Sequence, residues 1–292
     1  MTNGVQQDLI GPPVQENWRA FLRGSRLQGA FEHPLFTDAR VVGEVDEGLG
    51  PYQLLLTFNM GADLTKPSAV LRTEYYTEKT RQVQVLPVRT EASGYHGGDL
   101  SDELCALVGL VLGIRLRAGA ISRYFDPERD PRGHPWPGHR SDPVLHRRRP
   151  PEVILPNMAQ RRVNLGDAAR SRLLKALPSL SAEDALALVK AARLRQDAVW
   201  IAESEPELAW LLLVSAAETA ASHWHSERAT PSERLEADKP QVAALLREHG
   251  GAPLLEKVAA TLADSIGATK KFVDFLIQFL PPPPDARPPQ AG

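Results

Sequence analysis

The chain has 292 residues, with 34 basic and 36 acidic side chains, a formal net charge of −2 and an apolar fraction of 42%. That is enough hydrophobic material to bury the core of one large or two smaller domains, which excludes wholesale disorder, and the near-neutral charge excludes a histone-like polycation. The lone cysteine, Cys105, excludes a disulfide scaffold and any multi-cysteine zinc or iron–sulfur centre.

In chain order, residues 1–18 lack a basic segment followed by an apolar run, so no signal peptide is predicted. The longest apolar stretches, Leu104–Ile114 and Leu208–Val214, fall short of the roughly 20 residues a spanning helix needs. The expectation is a soluble, cytoplasmic protein without a membrane partner. Asn17–Arg23 suggests a short helix, and Tyr52–Met60, Ala69–Tyr76 and Arg81–Val88 read as strands, rich in β-branched and aromatic residues. Asp99 and Ser101 offer N-caps to a helix over Asp102–Leu112, apolar almost all round and so predicted to be buried, with Gly113 near its end.

Fourteen of the 25 prolines lie in two segments, Pro127–Pro156 and Pro281–Pro289. Proline lacks an N–H and blocks helix continuation, so each segment is predicted to be an extended connector or surface arm, neither a helix nor a central strand. Charge divides at the same place: residues 1–114 carry a net −5, residues 115–175 a net +8 and residues 176–292 a net −5.

The second half reads as helical. Asp167–Leu177 is a basic amphipathic candidate, Ser181 caps Ala182–Gln196, and Pro206 opens Glu207–Trp224, the most hydrophobic helix of the chain. Gln241–His249 should end at Gly250–Gly251 and Leu254–Ile266 at Gly267. Thr269 caps Lys270–Leu280, where Phe272, Phe275, Leu276 and Phe279 recur at helical spacing.

Three stretches, Asp184–Pro206 (DALALVKAARLRQDAVWIAESEP), Glu207–Ala221 (ELAWLLLVSAAETAA, predicted to be a long buried helix) and Lys270–Pro289, give the second half a resemblance to the HEPN helical domains, in particular the ApeA-like group. Gly94–Gly119 and Ile121–Asp126 resemble the N-terminal region of such proteins. The predicted fold is therefore α+β: an N-terminal mixed α/β domain (1–126), a Pro/Arg-rich connector (127–160) and a C-terminal all-α HEPN-like helical bundle (161–292).

The resemblance implies a metal-independent RNA endonuclease that works as a dimer and carries an Arg, four to six residues and a His near the start of a late helix. Imidazole moves a proton near neutral pH, and guanidinium holds phosphate bidentately. In ApeA-like chains that motif is expected beyond the phenylalanine helix and the following prolines, yet no Arg or His follows Arg287. The expectation is a truncated or frame-shifted relative, or a degenerate one, with an incomplete catalytic motif. Within the proline tract, Arg129–His134, Arg132–His139 and Arg140–His146 have the spacing, but prolines between the partners keep them off a common helix face.

Glu218 interrupts an apolar helix. By resemblance it could orient the catalytic Arg; alternatively, it lies on an exposed edge. Arg140, Arg147, Arg148 and Arg149, with Trp136 and three histidines nearby, could bind RNA through phosphate neutralisation and stacking, or belong to a solvated linker. His223 and His225 do not match the i, i+4 spacing of a helical metal pair, and the glycines around His96 lack the order of a phosphate-binding loop. No metal, cofactor or nucleotide is therefore expected. The functional expectation is an RNA-directed, defence- or toxin-type protein acting through RNA binding or self-association. The rival is a non-enzymatic sensing or interaction protein whose N-terminal domain binds a ligand or partner.

Overall fold

A computed structural model describes residues 10–57, 66–77, 99–137, 142–145, 162–224, 230–262 and 268–279. The architecture is α+β, with a sheet in the N-terminal half and helices in the C-terminal half. The contacts divide the chain into two compact units, 1–216 and 217–292. Among the described residues no helix is long and apolar enough to cross a membrane.

The first unit opens with helix α1 (Pro13–Leu22), which starts earlier than predicted because Pro13 supplies the preset φ of a first helical residue. Strand β1 (Arg26–Thr37) follows and is the centre of the sheet. Sequence reading missed it, since Gly29 and Pro34 interrupt the apolar pattern of this segment. On one edge β1 pairs antiparallel with β4 (Ala69–Thr77), which pairs with β3 (Tyr52–Leu56). On its other edge β1 pairs in succession with β5 (Leu116–Ala118) and β6 (Arg123–Asp126). The sheet ends at β7 (Asp130–Pro135), giving the order β3-β4-β1-β6-β7. The strands predicted over 52–60 and 69–76 are thus present as β3 and β4, β3 ending at Leu56; the one predicted over 81–88 lies outside the described residues.

The N-terminal part of the proline tract is not a bare connector: residues 130–135 form the edge strand β7. Pro131 and Pro135 are tolerated there because an edge strand leaves one side without ladder partners. A short parallel pair, β2 (Arg40–Val42) with β8 (Arg162–Asn164), ties the far end of that tract back to the N-terminal half.

Helix α2 (Leu100–Leu112) is buried, as its all-round apolar sequence predicts. Asp99 is its N-cap, with Asp102 completing a capping box, and Gly113 closes it in the left-handed conformation at φ 65°. The segment predicted as one helix over Asp167–Leu177 is split. Helix α3 (Gly166–Arg170) stops at Ser171, which turns extended and caps α4 (Arg172–Ala176). Helix α5 (Ala182–Ile201) is capped by Ser181 and buries Ala185, Val189 and Ala192 in the same core as Leu104, Leu107, Leu35 and Leu71. So a helix from the C-terminal half completes the core of the sheet unit.

Helix α6 (Pro206–Trp224) begins in the first unit and ends in the second. It was expected to be buried, and it is not. Its buried positions are the small residues Ala209, Ala216 and Ala221, whereas Trp210 and Leu211 are 68% and 63% exposed. The side chains it buries are small, while Leu208, Trp210, Leu211 and Leu213 are left exposed.

The second unit contains α7 (Pro231–Asp238), opened by a Thr230–Glu233 capping box, then α8 (Pro240–Thr261) and α9 (Ala268–Phe279). As predicted, α8 breaks at the glycine pair: Gly251 adopts φ 67°, and Pro253 restarts the helix. Among the described residues, Leu235, Ala243, Leu255 and Ala259 form a buried cluster in this unit. Trp224 packs edge-on against Phe275 and Phe279 at centroid distances of 5.8 and 5.2 Å.

Candidate functional site

The described residues concentrate buried charge where the end of β1, the entry to β5 and the turn after α5 meet. Arg115 Nε lies 3.0 Å from Asp38 Oδ2, and its Nη2 lies 3.6 Å from Glu203 Oε1. All three side chains are within 5% of full burial. A guanidinium bridging two carboxylates offers neither a nucleophile nor a free proton acceptor, so its action is to clamp three segments far apart in sequence. Nothing in local spacing signals it.

A second set of buried polar contacts positions α1. Glu103 on α2 accepts the Val14 N–H at 2.8 Å, and the Tyr52 hydroxyl donates to the Val14 carbonyl at 2.8 Å. Asn17 donates to Tyr52 Oη and to the Glu74 carbonyl. Burial raises the Tyr52 and Tyr75 phenols well above the ordinary value, with nearby carboxylate charge acting in the same direction, so both stay neutral. Burial likewise pushes the Cys105 thiol up, with Asp102 and Asp99 adding to the shift, and leaves it an inert core residue.

An aromatic row crosses the sheet toward its edge. Phe31 contacts Tyr75 at 5.0 Å, Tyr124 at 4.9 Å and Trp136 at 5.9 Å; Tyr124 in turn meets His134 at 5.6 Å. His134 Nδ1 lies 3.0 Å from Asp130 Oδ2, which orients the exposed imidazole. Arg129, its partner in the Arg–His spacing, sits in the turn of the same hairpin, so this pair is on strands and turn rather than a helix.

The spacing also occurs at Arg26 and His33 on β1, which the sequence reading did not single out. There Arg26 is paired with Glu128 at the surface, while His33 is buried with Nδ1 3.2 Å from the Gly119 carbonyl. The guanidinium and imidazole of that pair are therefore not brought together.

Of the residues singled out for RNA binding, Arg140, Arg147, Arg148 and Arg149 lie outside the described residues, as do His96, His139, His146 and His225. Glu218 is exposed on α6, and among the described residues its carboxylate makes no hydrogen bond or ion pair. His223 is exposed near the end of the same helix. Among the described residues no group of three or more His, Cys, Asp or Glu side chains could hold a metal ion. Compared with protein-family models, curated proteins and solved structures, the chain matches none.

Proposed function

We propose that this chain is a HEPN-like, RNA-directed protein of the bacterial defence or toxin type, catalytically incomplete and acting through RNA binding or dimerisation. The observation that supports this reading is the apolar surface of its C-terminal helices. Trp210 and Leu211 on α6 and Ile277 and Phe279 on α9 are each more than half exposed among the described residues. Apolar side chains displayed on helices suit pairing with another helical surface.

The test is an RNA-cleavage assay without added metal, run beside a binding titration over a range of salt. The expected result is salt-sensitive RNA binding without cleavage, weakened by Arg147→Ala, Arg148→Ala and Arg149→Ala together. Cleavage by the 292-residue chain would overturn the claim of an incomplete site. RNA binding unchanged in the triple variant would return the arginine run to a linker role.

A second reading, a non-enzymatic sensing or interaction protein, is favoured by the row Tyr75–Phe31–Tyr124–Trp136, which runs to the sheet edge and ends beside exposed His134. Loss of partner capture in Trp136→Ala, with no RNA binding by the parent chain, would select it.

A further inference from the structure

Residues 142–145 (Asp-Pro-Val-Leu) lie in the proline tract between β7 and β8 and take no regular secondary structure. They are nevertheless fixed to the body of the first unit. Trp200, in the last turn of α5, donates its Nε1–H to the Val144 carbonyl at 2.9 Å. Leu145 is 8% exposed against Phe36 of β1 and Trp200, with Ile201 beside them, whereas Val144 is 66% exposed and Asp142 lies at the surface. Gly119 leaves room for the segment, since a Cβ there would fall 2.6 Å from Asp142 Oδ1. The segment is thus held as an extended peptide ligand is held, by one main-chain hydrogen bond and one inserted side chain.

The seat is built without the segment. Phe36 is directly opposite Arg117 in the β1–β5 pairing. Arg117 is ion-paired with Asp197 and stacks over the Trp200 ring at 5.0 Å from its centroid. Two strands and a helix therefore orient the indole N–H and the apolar walls through contacts in which residues 142–145 take no part. Among the described residues, the bond to Val144 is the one hydrogen bond that the segment makes. One leucine and one hydrogen bond do little more than offset the cost of ordering four residues, so covalent proximity is what keeps the segment in place. An emptied seat would present an oriented indole donor between apolar walls, the make-up of a small preformed binding pocket.

We propose that Phe36, Trp200 and Ile201 form a binding pocket for an extended peptide of the pattern proline, apolar residue, leucine, which the chain fills with its own Asp142–Leu145. The partner is a protein segment of that chemistry. Its carbonyl takes the Trp200 N–H and its leucine takes the place of Leu145. A proline ahead of the apolar residue presets an extended backbone, as Pro143 does here, and so lowers the cost of ordering. The internal segment is an autoinhibitory occupant, lowering the partner's apparent affinity by the fraction of time it fills the pocket. The inference does not rest on the RNA reading.

The test is fluorescence anisotropy of a labelled peptide with the sequence of residues 141–146, titrated with the full 292-residue chain. The parent chain should bind it weakly. Leu145→Ser, which removes the inserted side chain of the internal occupant, should bind it about tenfold more tightly. A peptide with serine in place of its leucine should not bind, which separates a filled pocket from the stickiness of a misfolded chain. Adding Trp200→Phe to Leu145→Ser keeps an aromatic wall but removes the N–H, and should weaken binding about fivefold, the worth of one hydrogen bond. If Leu145→Ser lowers the melting temperature, the milder Leu145→Ala takes its place. Equal binding by parent and variant would put the peptide elsewhere and overturn the pocket. So would an absence of binding by a variant that melts at the parent's temperature, binding that the serine peptide reproduces, or binding that Trp200→Phe leaves intact.

Discussion

Arg115 and Asp38 meet at 3.0 Å in the interior of the first unit, 77 positions apart in sequence, with Glu203 at 3.6 Å on the guanidinium's other side. A charge set this deep is costly to break, because the group left behind stays desolvated. Arg115→Met should therefore lower the unfolding free energy by about 3–5 kcal/mol, the range for removing one partner of a buried ion pair. Urea denaturation of the variant would check this; a change below about 1 kcal/mol, the ceiling for a surface pair, would mean that the triad is solvated in solution.

Glu103 and Val14 make a comparable long-range contact, a buried carboxylate on one helix capping the first turn of another. Glu103→Ala leaves the Val14 N–H without its acceptor and should cost about 1–3 kcal/mol. Amide hydrogen exchange localises the effect. Faster exchange confined to α1 is the expected pattern, and uniform acceleration across the sheet would contradict a capping role.

Alkaline pH should destabilise the chain, because burial keeps three acidic side-chain groups neutral. Burial raises the Cys105 thiol above its ordinary 9.0 and the Tyr52 and Tyr75 phenols above 10.0. A group whose pKa is raised by folding contributes fully below its unfolded value, and that contribution is lost as pH rises toward the folded value. The melting temperature is thus expected to hold up to about pH 9 and fall above it. A thiol reagent at pH 8 should label Cys105 only in denaturant; rapid labelling of the native chain would show that α2 is not buried.

The exposed apolar residues of α6 and α9 predict self-association. Trp210→Glu with Ile277→Glu should shift the chain toward monomer in light scattering coupled to size exclusion, without loss of melting temperature, since both side chains lie outside the described cores. A parent chain that is monomeric at high concentration would remove the dimerisation half of the functional reading.

Gly251 sits at φ 67° between the two segments of α8. Gly251→Ala should destabilise by about 1 kcal/mol, because a Cβ disfavours the left-handed region. Far-UV circular dichroism would report any merging of the two segments, which the glycine's conformation opposes.

Sequence by itself determined what depends on neighbours along the chain. The α+β order, the capped starts at Asp99 and Ser181, the stop at Gly113 and the break at Gly250–Gly251 were all legible, because caps and glycine turns act over a few residues. Strand β1 was not legible. Its Gly29 and Pro34 argue locally against a strand, and only pairing on both edges overrides them. Of the proposed site residues, Glu218 could be located on its helix but not placed on a face by pattern alone, since few other polar residues mark one.

Tertiary structure alone decided which charges meet. Arg115 with Asp38 and Glu203, Glu103 with Val14, and Arg72 and Arg123 each with Phe125 are set by sheet register and helix docking between distant segments. It also decided that α6, the most hydrophobic helix by composition, buries Ala209, Ala216 and Ala221 and displays Trp210. Composition sums over a helix, whereas burial depends on which side finds a neighbour.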